Sequence, residues 1–364
     1  MGKRRSIFLY PFSLIYGLIT SARNFLYNTG ILKSHEFGIP TICIGNLTVG
    51  GTGKTPHAEY LIDLLCKNFK VALLSRGYKR KSSGFQVAGL GSKIEDIGDE
   101  PMQIFRKFPD ITVAVDRNRV NGVKQILAEK PDTGVIILDD AFQHRRITPG
   151  YSILLTDFER LMINDAMLPY GNLRENVRNM SRADIILITK SPPDISPIQR
   201  RIIVKEINKA AYQNLYFTST TYKKPVPVYD KPSDLKEHDI FSDAGNSGIV
   251  LVTGIANPVP FSEYLQKFFC EVVHLPFGDH HRFDLMDSEK ISCAFSGLKS
   301  ARKYIITTEK DAVRLREFNN FAESLRLSFY YIPIGIEFLN DDKDEFDNLI
   351  VDYVRKNKRN NRIS

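Results

Sequence analysis

Thr48-Val49-Gly50-Gly51-Thr52-Gly53-Lys54-Thr55-Pro56 combines three glycines, a lysine and a hydroxyl in the order needed to hold a chain of phosphates. Glycines let the backbone aim several N–H groups at one point, and a helix beginning there adds partial positive charge. In such a loop Lys54 reaches the β- and γ-phosphates and the Thr55 hydroxyl ligates Mg²⁺. The pattern G-x-x-x-x-G-K-[ST] is met except at its first position, where Thr48 stands; Gly50 and Gly51 supply the flexibility instead. The plainer reading is a glycine-rich turn that binds nothing. Its place between an apolar run and a helical pattern argues against that.

A second cluster is Asp139-Asp140, which closes the apolar run Val135 to Leu138. Adjacent carboxylates at a strand end repel each other unless a cation sits between them. Beside a phosphate loop, such acids hold Mg²⁺ directly or through water. Gly98-Asp99-Glu100-Pro101 reads, taken alone, as ordinary chemistry for a helix start. Asp279-His280-His281 leaves three readings open: paired metal ligands, a surface turn, or a proton-handling histidine contributed by a second domain.

The elements that must position these groups follow from hydrophobic periodicity. Strands are expected at Thr41 to Ile44, Val71 to Ser75, Ile111 to Val115, Val135 to Leu138, Ser152 to Thr156 and Asp184 to Ile188. Helical spacing of Ala58, Leu61, Ile62 and Leu65 follows the glycine loop. Strands that alternate with helices and are apolar on both faces predict an α/β fold, a P-loop NTPase-type parallel sheet sandwiched by helices. From Leu215 to Asp230 the pattern shifts to a strand-like linker, and Gly248 to Gly254 opens a second, smaller α/β domain. Leu327 to Pro333 is expected to return as the partner linker strand. The organisation read from these breaks is 1–30, a membrane-interacting helix; 31–215, the P-loop core; 216–335, the smaller domain with its linkers; and 336–364, a C-terminal helix with a basic tail from Lys356 to Arg362. Thr189-Lys190-Ser191-Pro192 places proline where a guanine-reading motif requires aspartate, which speaks against a GTPase.

With 364 residues and a formal charge of +8, the chain has room for two domains and a bias toward anionic partners. Cys43, Cys66, Cys270 and Cys293 are scattered without a C-x-x-C pair, so no zinc site is expected. Cys43 and Cys66 fall on apolar faces and read as buried, reduced thiols of a cytoplasmic protein. Lys3-Arg4-Arg5 precedes an apolar stretch from Ile7 to Ala22 that is too short and too interrupted to span a bilayer. A signal peptide would separate a nucleotide loop from its nucleotide. An interfacial helix fits the aromatic and basic pattern of Phe8, Tyr10, Phe12, Tyr16 and Arg23, against the alternative of a helix packed on its own domain.

Taken together, Gly45 to Pro56, Ser75-Arg76-Gly77-Tyr78, Gly98 to Pro101, Asp139 to His144, Leu168 to Glu175, Asp279-His280 and Thr308 to Asp311 resemble the tetraacyldisaccharide 4′-kinases of lipid A synthesis. Thr48 belongs to that family's pattern; Ala141 departs from it, since glycine usually follows the acid pair. The resemblance implies a two-domain kinase that uses ATP and Mg²⁺ to phosphorylate the 4′-hydroxyl of a lipid A disaccharide precursor. That acceptor lies at the cytoplasmic face of the inner membrane; neither nucleic acid nor an obligate protein partner is implied. It assigns phosphate binding to Thr48 through Thr55, with Lys54 also catalytic. Metal binding falls to Thr55, Asp139, Asp140 and Glu175. Asp99 becomes the base, a protonated His280 its support, and Arg76, Tyr78, Gln143, His144 and Arg174 the acceptor pocket. Rival readings are a P-loop kinase of another small acceptor and a membrane-tethered P-loop switch protein.

Overall fold

The computed structural model describes residues 7–230, 239–318 and 320–360, so the basic triplet Lys3-Arg4-Arg5 and Arg362 lie outside the described residues. The chain divides into two compact units, Met1–Thr221 with Ile336–Ser364, and Tyr222–Gly335.

The first unit is built on a nine-stranded sheet. Its strands are β1 (Thr41–Asn46), β2 (Val71–Ser75), β3 (Gln86–Val87), β4 (Thr112–Val115), β5 (Val135–Asp139), β6 (Tyr151–Asp157), β7 (Ile185–Thr189), β8 (Asn214–Tyr222) and β14 (Ile334–Phe338). Their spatial order is β14-β8-β7-β6-β1-β5-β2-β4-β3. From β8 to β4 every pairing is parallel, and the two edge strands run antiparallel: β3 against β4, and β14 against β8, where Lys223 N–H donates to the Pro333 carbonyl and Leu339 N–H to the Phe217 carbonyl. β1, β2, β5 and β7 are buried along their whole length, which is why they read as unbroken apolar runs. Successive side chains still alternate between faces. Ile42, Ile44, Leu73 and Ile137 pack with Leu61, Ile62 and Leu65 of the helix α2 (Lys54–Cys66), while Cys43, Leu74 and Leu138 join the opposite core. Each such Leu or Ile contributes roughly 1.5–3 kcal/mol by leaving water.

α1 (Tyr10–Asn28) is patterned inside out. It buries Ser13, Thr20 and Asn24, and leaves Phe12, Leu14, Ile15, Leu18 and Ile19 more than half exposed. Its polar side is what docks on the unit: Ser13 Oγ accepts from the Tyr170 amide at 2.8 Å, and the Tyr16 hydroxyl donates to the Arg174 carbonyl at 3.0 Å. No described helix is long and apolar enough to cross a membrane. Two further helices matter for the site: α3 (Asp99–Lys107) and α4 (Arg119–Glu129).

The second unit has its own five-stranded sheet, with β9 (Val226–Pro227), β10 (Ser247–Thr253), β11 (Glu271–Pro276), β12 (Arg302–Thr308) and β13 (Phe329–Ile332) in the order β11-β10-β12-β13-β9. All pairings are parallel except β13 with β9. Val250, Val252, Ile305 and Phe329 form one core, and Ile249, Leu251, Ile306 and Tyr330 the other.

Two sequence expectations change. Leu327 to Pro333 is no linker strand: it supplies β13, buried beside β12, and the strand that returns to the larger sheet is β14. A short apolar run fits an interior parallel strand as well as a connecting one, so the pattern alone did not separate them. Cys43 is buried, and burial pushes its thiol up to about 12, but Cys66 is exposed at the end of α2.

Candidate active site

The described chemistry of the first unit collects at the carboxyl ends of its parallel strands, where ligands bind in open α/β sheets. β1 runs into the glycine loop, β5 into Asp139-Asp140, β2 into Ser75-Arg76, and β7 into Thr189-Lys190. Gly53, at φ +79°, closes the loop and caps α2 in a conformation that side chains with a Cβ resist. Inside the loop, Asn46 Nδ2 donates to the Thr48 carbonyl at 2.7 Å and to Thr52 Oγ1 at 2.9 Å. Thr48 and Thr52 are therefore buried props, whereas Gly50 and Gly51 are exposed. Val49 donates its amide to Asn172. From outside the loop, Thr189 Oγ1 donates to the Thr52 carbonyl at 3.0 Å, Lys190 Nζ to the Gly51 carbonyl at 2.5 Å, and Arg160 Nη2 to the Val49 carbonyl at 3.3 Å. Carbonyls tied down on one side leave amides to face the other.

Lys54 opens α2, with Nζ 3.3 Å from Asn46 Oδ1 and 3.6 Å from Asp140 Oδ1. Arg174 Nη1 lies 3.0 Å from Asp140 Oδ2. Burial works against ionisation of Asp140, yet Lys54 and Arg174 together hold its carboxyl below the usual range. Asp139 is different. Burial first, then Glu100 and Asp140, push it up to about 7, and its Oδ2 accepts from Ser75 Oγ at 3.1 Å. The two neighbours are thus pushed in opposite directions, as acids crowded at one edge are. Asp140 adopts φ +45°, which turns it away from the strand line.

Glu175 is buried at 1 % exposure, with Oε2 ion-paired to Arg182 and Oε1 without a hydrogen-bond partner. Carboxylate and hydroxyl oxygens gathered at Thr55, Asp139 and Asp140 suit a small, hard cation. Among the described residues no three His, Cys, Asp or Glu side chains converge as an all-protein cage. Mg²⁺ is commonly held by one or two carboxylates plus water and phosphate oxygens, a number Asp139 and Asp140 could supply.

Asp99 is the first residue of α3. Before it, Gly98 has φ +94°, and a Cβ there would sit 2.9 Å from the Tyr78 carbonyl, so only glycine lets the helix start so close to the 76–78 turn. Gln143 Nε2 donates to the Asn46 carbonyl at 2.7 Å, and Arg174 Nη1 also approaches Gln143 Oε1 at 3.4 Å. Arg76 and Tyr78 are exposed, and the Lys79 ammonium lies 5.7 Å from the Tyr78 ring centre. His144 Nε2 is buried without a hydrogen-bond partner. Burial, with Arg119, Arg146, Arg23 and Arg76 around it, pushes His144 down to about 4.

Arg119 escaped the sequence reading. It is 2 % exposed, and its Nη2 donates to the Asp139 carbonyl at 3.0 Å, its Nη1 to the Asp116 carbonyl at 3.1 Å. It underpins the acid pair through the backbone. The only local signal was an arginine following Asp116-Arg117-Asn118, indistinguishable from a solvated loop.

In the second unit, His280 sits at φ +63°. Arg314 Nη2 is 3.1 Å from its Nδ1 and Lys310 Nζ 3.2 Å from its Nε2. Arg314 is in turn held by Asp311, 2.8 Å away and fully buried, which also accepts the Gly254 amide at 2.8 Å and the Thr308 hydroxyl at 2.7 Å. Arginine and lysine only donate, and the Asp279 carboxylate adds an acceptor 3.8 Å from Nε2, so groups of both signs flank the ring. His281 Nε2 bonds Asp287 Oδ2 at 2.6 Å.

Residues 5–355 match the family model described as tetraacyldisaccharide-1-P 4′-kinase. The chain is 49% identical over 363 residues to the tetraacyldisaccharide 4′-kinase of Bacteroides thetaiotaomicron, covering 98% of this chain and 95% of that one. It is 47% identical over 358 residues to the tetraacyldisaccharide 4′-kinase of Phocaeicola vulgatus, covering 98% and 97%. Among solved structures it is similar to LpxK from Aquifex aeolicus, determined in complex with ATP, with a TM-score of 0.73 and 27% identity over 95% of this chain and 98% of that one.

Proposed function

The chain belongs to the tetraacyldisaccharide 4′-kinase family, and from that premise we propose how its residues divide the transfer of a phosphoryl group from ATP to the 4′-hydroxyl of a tetraacyldisaccharide 1-phosphate. Phosphoryl transfer asks a protein for positioning and charge stabilisation more than for covalent chemistry. The observation that carries the assignment is the approach of Lys54 Nζ to Asp140 at 3.6 Å, which brings the phosphate loop and the acid pair together at one sheet edge.

Thr48 through Thr55 offer backbone amides to the phosphates, and Lys54 neutralises charge on the transferred group. Thr55, Asp139 and Asp140 would hold Mg²⁺, with the unpaired Oε1 of Glu175 as a further oxygen. A cation held by these residues would supply positive charge to the phosphate groups. Asp99 accepts the proton of the acceptor hydroxyl, and His280 of the second unit supports it. Arg76, Tyr78, Gln143, His144 and Arg174 orient the sugar.

The chain works at the cytoplasmic surface of the inner membrane, with the apolar side of α1 in the lipid interface. Support comes from the row Phe12, Ile15, Leu18 and Ile19, which no part of the unit covers enough to bury.

A transfer assay with γ-³²P-ATP tests the whole reading. Label is expected on the acylated disaccharide 1-phosphate and not on free glucosamine. Equal labelling of both would sink the acceptor assignment.

A further inference from the structure

His57 lies in the first turn of α2, is 3 % exposed, and takes part in no step of the transfer described above. It stands one helical turn ahead of the core residue Leu61. An aliphatic side chain would fill such a position at no electrostatic cost, whereas a buried imidazole is unfavourable unless both ring nitrogens are partnered. Burial pushes His57 down to about 4, so near neutral pH the ring is uncharged.

Both nitrogens are partnered, and the partners fix the tautomer. Nδ1 lies 2.7 Å from the Gly53 carbonyl, which can only accept, so Nδ1 carries the proton. Nε2 is then the acceptor, and the Thr218 hydroxyl donates to it at 2.9 Å. The bond that the helix itself sends to the same carbonyl, from the His57 amide, is 3.4 Å long. The ring, more than the helix ladder, takes the Gly53 carbonyl.

What the ring holds is one side of a peptide plane. The Gly53 carbonyl and the Lys54 N–H belong to the same planar trans unit and point opposite ways. Tying the carbonyl to a ring one turn further on aims the Lys54 amide out of the helix start, where the first N–H groups lack intrahelical partners and meet anions. The end of β7 braces the preceding carbonyls, Thr189 that of Thr52 and Lys190 that of Gly51. Ser191, next in the chain, donates its amide to the Thr218 carbonyl at 2.9 Å. Thr218, fully buried in β8, is therefore where the two braces meet: its hydroxyl holds His57 and its carbonyl holds the end of β7.

We infer that His57 is a positioning residue of the nucleotide site: anchored by Thr218, it fixes the Gly53–Lys54 peptide so that the Lys54 amide meets a nucleotide phosphate. The inference rests on the phosphate-loop reading above. His57 touches neither ATP nor the acceptor and acts through the main chain alone.

The test uses the full chain in detergent micelles and two substitutions. Phenylalanine keeps a ring and loses both hydrogen bonds; asparagine places an amide nitrogen where Nδ1 stands and keeps the one to Gly53. His57→Phe is expected to weaken calorimetric binding of ADP·Mg²⁺ and to raise KM for ATP, each about tenfold, with the acceptor KM unchanged. His57→Asn is expected to stay within about threefold of wild type for both nucleotides, although it too leaves the Thr218 hydroxyl without its acceptor and melts earlier. That order separates aim from stability, since both variants lose stability and only one loses nucleotide. Wild-type nucleotide affinity in His57→Phe, or an equal loss in the two variants, overturns the inference. Should His57→Phe not fold, the wild type decides by ¹⁵N NMR of the histidine-labelled chain. The expected spectrum has the His57 proton on Nδ1, with a resonance that moves when ADP·Mg²⁺ binds. A proton on Nε2, or a ring signal indifferent to bound ADP, overturns the inference. ADP that fails to bind the wild type counts against the phosphate-loop reading instead, while the tautomer still tests the hold on Gly53.

Discussion

Glu59 and Lys107 form an ion pair of 2.5 Å between the helix that begins at Lys54 and the helix that begins at Asp99. Gln103 Nε2 donates to the other oxygen of Glu59 at 2.8 Å, so one carboxylate, only 5 % exposed, clamps α3 to α2. The phosphate loop and the assigned base are thereby carried on a single rigid pair. Breaking a buried ion pair by removing one partner costs about 3–5 kcal/mol, and the partial exposure of Lys107 reduces this to about 2. Glu59→Gln should therefore lower the urea midpoint and reduce kcat by about tenfold, with ATP affinity nearly intact. A Glu59→Gln, Lys107→Met pair that recovers no stability relative to the single change would show that the clamp is not what holds the helices.

Asp99→Asn keeps the helix start and removes the base. Turnover should fall by two to four orders of magnitude, the range of a general base, while ATP binding measured by calorimetry stays within about threefold. Unchanged turnover removes Asp99 from that role.

Lys190 braces the phosphate loop through the Gly51 carbonyl and is itself held by Asp157 at 2.7 Å. Its side chain is 43 % exposed, so the brace is worth about 1 kcal/mol rather than the full value of a buried charged hydrogen bond. Lys190→Met should raise KM for ATP by about fivefold and leave the acceptor KM unaltered. If the acceptor KM shifts instead, the loop is not what this lysine governs.

His144 is held at about 4 in the folded chain against an ordinary 6.5. Between those values the unfolded chain binds the extra proton and the folded chain does not, so stability rises with pH across that window. The contribution is complete above 6.5 and is lost as pH falls through 4. Urea midpoints from pH 7 to 4 should drop more steeply in the wild type than in His144→Gln. Proton NMR should place the His144 titration near the lower end of that range.

Deleting the first 28 residues would confuse two effects, because α1 also delivers the Tyr16 hydroxyl to the Arg174 carbonyl. Leu18→Ser with Ile19→Ser changes only exposed positions, at 72 % and 62 %. Sedimentation with anionic vesicles should weaken at least tenfold while thermal stability holds. Undiminished sedimentation would remove this face from the membrane contact.

The strands, the glycine loop and the acid pair were legible because each is local: a run of apolar residues, or a motif that one turn brings together. The clamp between Glu59 and Lys107 joins residues 48 apart, and the Arg119 prop works through backbone carbonyls, so neither has a pattern in the chain. α1 was legible as amphipathic, but which side faces inward was not. Ser13 and Thr20 look like solvent-facing positions, yet both are buried: Ser13 takes the Tyr170 amide, while Thr20 turns its hydroxyl back on the Tyr16 carbonyl of its own helix. The partners of His280, Lys310 and Arg314, come from a helix some thirty residues later, so no local pattern in the chain announces them.

At φ +45°, Asp140 occupies backbone territory that aspartate and asparagine tolerate and most other side chains avoid. Alanine at this position would change torsional preference and electrostatics in one stroke. A routine alanine scan would then credit the carboxylate with damage done partly by the main chain. Asparagine, which keeps both the shape and the twist, is the replacement that isolates the lost charge.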